Sequence, residues 1–231
     1  MKNKSSKRYK KLFEMSKDKK AEIIKEAIKK VKENCNAKFD ESVDVSFKLN
    51  LKNKKEEISL RTLVNLPNGN GKKVKLAVLC EENKIKEAKD SGAEIAGSDN
   101  LINNIMSGKI NFDKLIATPA MMSKIGKLGK ILGPKGLMPN PKLGTVTNNI
   151  KSIIKALRDG QIEIKNDQDG NVAASIGKKS FTDDKIKENY DAFLQTILKE
   201  KPKGIKGDFI LSAHLTSTMG VSYKLKLNKN I

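Results

Sequence analysis

Lys124, Lys127, Lys130, Lys135 and Lys142 stand in one stretch, Lys124 to Thr147, which also holds five glycines, three prolines and no acidic residue. Ammonium groups at that density attract a polyanion. As point charges they track phosphates, where arginine would make bidentate forks. Glycine and proline at this frequency exclude a regular helix or strand, so the composition predicts an ordered, cationic, mostly irregular loop. A loop of that length inside a folded protein is usually functional.

Chemistry of other kinds is poorly supported. His214 is the sole histidine, and no G-x-S-x-G elbow accompanies it. It lies in an apolar run, which favours a structural role or an RNA contact over catalysis. The chain has no phosphate loop of the G-x-x-x-x-G-K-[ST] kind, and Gly69-Asn70-Gly71 precedes a strand where the dinucleotide fingerprint would follow one. Asp183-Asp184 sits where a helix starts, so favourable interaction with the helix dipole explains it. Cys35 and Cys80 form no CxxC and no metal spacing. They read as reduced core thiols of a cytosolic protein. No enzyme activity, cofactor or metal is expected.

The 231 residues carry a formal charge of +20, with 37% apolar residues. That fraction supports real cores, and the charge speaks of partners rather than of fold. Arg8, Arg61 and Arg158 are the only arginines. Asn and Ile are abundant as well, so part of the lysine excess is compositional bias, but bias does not explain why charge collects in certain segments. A lysine-rich binder leans on the phosphate backbone and is strongly salt-sensitive. No apolar run has the length to span a bilayer. The segment MKNKSSKRYKKLFEMSKDKK lacks the apolar core of a secretory signal and reads as a basic, partly ordered arm.

Several elements must position these groups. Ala21 to Cys35 reads as an amphipathic helix, with Ile24, Ala27, Ile28 and Val31 on one face. Val43, Val45, Phe47 and Leu49 alternate as in a half-buried strand, as do Ile58, Leu60, Thr62, Val64 and Leu66. The spacing predicts that these two pair through Asn50 to Glu57. After Pro67 to Gly71 the pattern changes. Val74 to Cys80 is a continuous apolar run, as for a strand buried on both faces. A helix near Lys84 to Asp90, a strand at Ala93 to Ala96, a helix capped by Ser98 or Asp99 and a strand at Leu115 to Thr118 follow. Pro119 opens a short helix before the cationic loop. Thr147 then caps a helix with Ile150, Ile153, Ile154 and Leu157.

Beyond Asp159-Gly160 the antiparallel style returns. A hairpin is expected from Ile162 and Ile164 to Val172 through Ile176, then a helix from Asp183 and strands at Phe209 to Leu215 and Val221 to Leu227. The fold class is therefore α/β with two domains. An antiparallel-sheet α+β domain is built from both chain ends, residues 1–67 and 160–231. A three-layer α/β, Rossmann-like domain, residues 68–159, is inserted in it. Pro67, Gly69, Gly71 and Gly160 form the natural hinge.

Four segments agree in order and spacing with a known family. They are IATPAMMSKIGKLGKILGPKGLMPNPKLGTVT (Ile116 to Thr147), AKFDESVDV (Ala37 to Val45), KNDQDGNVAASIGKKSF (Lys165 to Phe181) and HLTSTMG (His214 to Gly220). In them the chain resembles the L-one family of large-subunit ribosomal stalk proteins, with coverage from about Leu12 to Leu227. The core from Gly133 to Lys142 is highly specific. Lys130 and Lys135 stand where arginine is frequent in the family, which keeps phosphate attraction but not bidentate contact.

The resemblance implies binding to large-subunit rRNA at the mobile stalk beside the tRNA exit site. It also implies help in moving and releasing deacylated tRNA, and repression of the protein's own message. The partners it implies are large-subunit rRNA, exit-site tRNA, its operon mRNA leader and the large ribosomal subunit, in the cytoplasm, with no membrane and a monomer when free. It points to Lys38, Phe39, Ser42, Lys165, Asn166, Lys178, Thr216, Ser217, Thr218, Met219 and Gly220 for rRNA and mRNA. Hydroxyls that meet 2′-hydroxyls and phosphates, with Phe39 and Met219 against sugars or bases, suit folded RNA read by shape and stacking. Lys124, Lys127, Lys130, Lys135 and Lys142 are then left for tRNA or secondary RNA contact. A non-ribosomal RNA-binding protein or chaperone is the competing reading.

Overall fold

The computed structural model describes residues 6–15, 21–51, 60–202 and 207–227. In chain order its strands are β1 (Ser42–Leu49), β2 (Arg61–Asn65), β3 (Leu76–Leu79), β4 (Ile95–Gly97), β5 (Lys114–Ala117), β6 (Gln161–Lys165), β7 (Asn171–Lys178), β8 (Ile210–Ser217) and β9 (Tyr223–Leu225). The α-helices are α1 (Lys7–Met15), α2 (Ile24–Glu33), α3 (Ile85–Asp90), α4 (Asp99–Met106), α5 (Met122–Ile125), α6 (Gly129–Leu132), α7 (Ile150–Arg158) and α8 (Asp183–Lys199). The chain divides into two compact units, Met1–Gly71 with Ile162–Ile231, and Lys72–Gln161.

In the first unit, β1 alternates as its sequence requires. Val43, Val45, Phe47 and Leu49 are buried, and the residues between them are half-buried. Its neighbours are β7 on one side and β8 on the other, both antiparallel, with β9 beyond β8. A strand from the first third of the chain thus pairs with two strands from the last third. Helices α2 and α8 cover one face of this sheet. Ala27, Ile28 and Val31 of α2 and Ile186, Tyr190, Phe193 and Ile197 of α8 share its core. The Phe47 ring meets Tyr190 edge-on at 5.9 Å and Phe193 at 5.4 Å, favourable aromatic distances. Leu12 of α1 joins the same core.

Among the described residues, neither expected hairpin forms a ladder. β2 does not pair with β1, and β6 does not form a ladder with β7. Instead β2 and β6 pair with each other as a separate two-stranded sheet. The expected turn from Asp167 to Gly170 does form, closed by the Gly170 N–H on the Asp167 carbonyl at 3.1 Å and the Asp167 N–H on the Asn171 carbonyl at 2.9 Å, but only the Asn166–Val172 bridge continues it toward β6. Alternation marks a strand's buried face but not its partner, and β1 already has both edges occupied. Ile58 and most of Asn50 to Glu57 lie outside the described residues.

The second unit is a parallel sheet in the order β4-β3-β5. All four residues of β3 are buried, as a central parallel strand demands. Leu76, Val78 and Cys80 pack with Ile150, Ile154 and Leu157 of α7 and Ala88 of α3. Ala77 and Leu79 pack on the other face with Leu101, Ile102 and Ile105 of α4. The sheet therefore has helices on both faces. Asn149, not Thr147, caps α7, through its side-chain oxygen on the Ser152 N–H. The Thr147 hydroxyl instead accepts the Asn149 N–H at 3.1 Å.

The cationic stretch departs from the expected irregular loop. From Met122 to Leu132 it is a succession of short helical turns, with α5 and α6 joined by a 3-10 turn at Gly126–Leu128. Ile125, Leu128 and Leu132 are buried at helical spacing against the α4 face. Burying that apolar stripe outweighs the roughly 1 kcal/mol cost of each helical glycine. The stretch then loosens. Asn140 and Thr145 tie it off, with the Asn140 N–H on Thr145 Oγ1 at 2.7 Å. Residues 145–147 return beside β5 through Ala117, which donates its N–H to Thr145 and accepts one from Thr147.

Candidate nucleic-acid interface

The register gathers three segments at one end of the four-stranded sheet. Ser42, at the start of β1, lies opposite Lys178, and Val43 lies opposite Ser217. Segments 37–42, 178–181 and 216–220 therefore meet there. They are interlocked. The Thr218 N–H donates to the Ser42 carbonyl at 3.1 Å, and the Ser42 N–H donates back to Thr218 Oγ1 at 3.0 Å. Asp40 accepts the Ser180 N–H at 3.1 Å and its hydroxyl at 2.8 Å. The Lys179 N–H reaches the Glu41 carbonyl at 2.8 Å.

Glu41 lies beneath this junction, fully buried. Oε1 accepts the Ala37 N–H at 3.0 Å and Oε2 accepts the Met219 N–H at 3.1 Å. Burial pushes its carboxyl up, but the Ala37 and Met219 amides, the neighbouring Ser217 hydroxyl and the charge of Arg8 outweigh that and hold it below its ordinary value. The sequence reading passed over Glu41. Its signal was nevertheless present: position 41 is in phase with Val43, Val45, Phe47 and Leu49, so a charge falls on the inward side of an alternating strand.

Phe39 and Met219 project from this base, 51% and 47% exposed. Phe39 is therefore not a core residue. Lys38 is exposed beside it. Thr218 is exposed, yet its hydroxyl is engaged with Ser42. Ser217 is buried, with its hydroxyl beside the Glu41 carboxylate and the Cys35 thiol but outside strict hydrogen-bond geometry to either. Gly220 packs closely on Ser217, where a Cβ would collide with Ser217 Oγ. Lys178 is half-buried, with its stem over Gly71, where φ is +71°. Thr216 is half-buried and pairs with Asp44.

Lys165 and Asn166 are not part of this cluster. Asn166 bridges to Val172, and Val172 lies opposite Phe47, five positions along β1 from Ser42. At about 3.4 Å per residue that places them roughly 17 Å away along the strand. The Asn166 side-chain oxygen accepts the Leu60 N–H at 2.6 Å, a bond that holds β2 to β6.

On the second unit Lys127, Lys130, Lys135 and Lys142 are exposed. Lys127 and Lys130 follow the outer side of the helical turns whose inner side is Ile125, Leu128 and Leu132. Lys124 is exposed as well, but it grips Asp99 at 2.7 and 2.9 Å, so its charge is partly neutralised.

Pro67, Gly69 and Gly71 follow β2. The Asn68 N–H donates to the side chain of Asn189, and Asn189 donates to the Gly69 carbonyl at 2.8 Å. Gly160 has φ of +105°. Asn189 too was missed, although it sits one residue before Tyr190 on the buried stripe of α8.

His214 is half-buried on β8 between Ser46 and Lys224. Burial, aided by the charge of Lys224, lowers its pKa below the ordinary histidine value. Cys35 and Cys80 are buried thiols whose pKa values burial raises. Among the described residues, no group of His, Cys, Asp and Glu is placed to hold a metal ion. No helix among them is long and apolar enough to cross a membrane.

Comparison with known proteins gives a consistent result. The chain is 57% identical over 227 residues to the large ribosomal subunit protein uL1 of Pelagibacter ubique, covering 98% of this chain and 99% of that one. The protein of the same name from Rickettsia akari is 46% identical over 201 residues, 87% of this chain and 84% of its own. That from Prochlorococcus marinus is 46% identical over 204 residues, 88% of this chain and 87% of its own. The family model described as the ribosomal protein L1p/L10e family matches residues 31–221, and with a match of that extent the chain belongs to this family.

Proposed function

We propose that this chain is a structural, non-catalytic protein of the large ribosomal subunit, resident in the cytoplasm, and that it holds rRNA through the first unit. The observation that carries the proposal is the interlocked junction of segments 37–42, 178–181 and 216–220. It presents Phe39, Met219 and Lys38 from a rigid base. Exposed apolar groups on a fixed frame, in a protein of charge +20, suit folded RNA bound by stacking and shape with backbone attraction added.

The finer parts of the reading follow from it. The exposed lysines of the second unit meet tRNA at the exit site or neighbouring RNA. The chain crossings near Gly71 and Gly160 act as a hinge, so that the second unit moves while the first stays fixed on the stalk. The same junction binds a copy of the rRNA fold in the protein's own message and represses it. Lys165 and Asn166 contribute a separate contact or a purely structural turn.

Sedimentation tests the core of this. The full-length protein is expected to travel with large subunits through a sucrose gradient. It is also expected to prefer deproteinised large-subunit rRNA to random duplex RNA at moderate salt. A protein that stays at the top of the gradient and binds both RNAs alike is a general RNA binder, and the reading fails.

A further inference from the structure

The Met219 peptide is held from both sides. Its N–H donates to Glu41 Oε2 at 3.1 Å, and its carbonyl accepts from Arg8 Nη2 at 2.8 Å. Glu41 is buried at the root of segment 37–42, while Arg8 comes from α1, far away in sequence. α1 is itself fixed by Leu12, which is buried in the core of the first unit. The turn is closed from within as well, by the Gly220 N–H on the Ser217 carbonyl at 3.2 Å.

We infer that Arg8 and Glu41 are positioning residues, a clamp that sets the Met219 turn in its RNA-binding shape before RNA arrives. This rests on the function proposed above. It gives the basic N-terminal segment a role other than phosphate attraction. The chemistry of the clamp is specific. The two carboxylate oxygens of Glu41 face two N–H donors, Ala37 and Met219. A carboxylate satisfies both, whereas a glutamine amide offers one acceptor and turns its NH2 on the other donor. Arg8 spends a donor on a carbonyl, so it fixes backbone. A turn set in advance loses less conformational freedom on binding, and affinity rises accordingly.

Two substitutions in the full-length protein test the clamp, Glu41→Gln and Arg8→Met, with Arg8→Lys as the conservative partner. The free protein is read first, through hydrogen exchange at the Met219 and Gly220 amides. Exchange there is expected to speed at least tenfold in Glu41→Gln and Arg8→Met, while the α8 and β1 amides stay protected. Binding to deproteinised large-subunit rRNA is read next. Its affinity is expected to fall about tenfold, the cost of ordering a turn that one lost intramolecular hydrogen bond no longer holds. Binding to random duplex should stay as it was, and the slope of affinity against salt should not change. Arg8→Lys should restore part of the loss.

Wild-type exchange at Met219 in both variants overturns the inference, whatever RNA does. So does a salt slope reduced by about one phosphate in Arg8→Met, which would make Arg8 a phosphate contact. A wild-type protein with no preference for its rRNA overturns the function proposed above instead. The exchange measurement still decides the clamp in that case.

Discussion

The side chain of Asn189, buried in α8, accepts the Asn68 N–H at 3.0 Å and donates to the carbonyls of Gly69 and Ile176 at 2.8 and 2.7 Å. One amide thus ties the segment after β2 to the sheet core through three bonds. Asn68 adds a bond to Glu188 at 2.7 Å. The backbone from Pro67 to Gly69 therefore belongs to the first unit, and any hinge on that crossing begins beyond Gly69.

Asn189→Asp keeps the volume but replaces the two donations with acceptors that face carbonyls. It is expected to cost about 3 kcal/mol, since a buried carbonyl left unpaired costs roughly 1–3 kcal/mol. Urea unfolding followed by circular dichroism reads it. A change under about 0.5 kcal/mol, the level of an ordinary surface substitution, contradicts the assignment.

Phe39→Ala and Met219→Ala should separate binding from stability. Both side chains are half exposed, so unfolding should move by no more than about 0.5 kcal/mol. Affinity for large-subunit rRNA should fall by about 1–3 kcal/mol in Phe39→Ala if the ring stacks on a base, and should fall in Met219→Ala through lost apolar contact with sugar or base. Equal binding by wild type and both variants would remove these residues from the interface.

Glu41 makes stability depend on acid. Its folded pKa lies below the ordinary carboxylate value of 4.5. A group of this kind adds stability that is present above the unfolded pKa and is lost as pH falls through the folded one. Unfolding free energy should therefore drop below about pH 4.5 in the wild type, and less steeply in Glu41→Gln. Parallel curves for the two proteins in urea titrations from pH 6 to 3 would contradict this.

Within the cationic stretch, neighbouring residues should behave oppositely. Leu128 is fully buried and Lys127 exposed. Leu128→Ala should destabilise by about 2–5 kcal/mol, and Lys127→Ala by no more than about 0.5 kcal/mol. Lys124→Ala removes an exposed pair with Asp99 and should cost no more than about 1 kcal/mol. Thermal unfolding distinguishes these, and a tolerated Leu128→Ala would restore the irregular-loop reading.

Glutamate at Lys127, Lys130, Lys135 and Lys142 together should impair tRNA release from the exit site more than it impairs rRNA affinity. The lysines lie on the second unit, and the junction of Glu41 and Thr218 lies on the first. Filter binding and a release assay give the two numbers. Equal losses would show that one surface serves both RNAs.

Much of this was legible along the chain. The unbroken apolar run at Val74 to Cys80 reads as a strand covered on both faces, and β3 is buried throughout. The alternation of Val43 to Leu49 gives the buried face of β1 residue by residue. The face Ile186, Tyr190, Phe193, Leu194 and Ile197 does nearly the same for α8, with Leu194 only partly buried. The glycines and prolines of Lys124 to Thr147 misled, because they argue about backbone propensity alone. Ile125, Leu128 and Leu132 carried a helical period that outweighed it once α4 supplied a surface to bury them. Asn166 reads as an RNA ligand by its place in a shared segment, yet its side chain closes β2 onto β6.

Sequence alone determined what is periodic or covalently local: which residues face inward, where the cationic residues gather, and the family. Glu41 and Asn189 were passed over, although each is a polar residue in apolar phase. Tertiary structure alone decided the partners. β1 lies between β7 and β8 and not beside β2, and only that register brings Ser42 to Thr218 and Glu41 to Met219. The physical reason is the same in each case. A side chain's preference for burial is set by its own chemistry. The group it is buried against is set by which distant segments close the core, and residues 41 and 219 carry no mark of each other until the strands between them have paired.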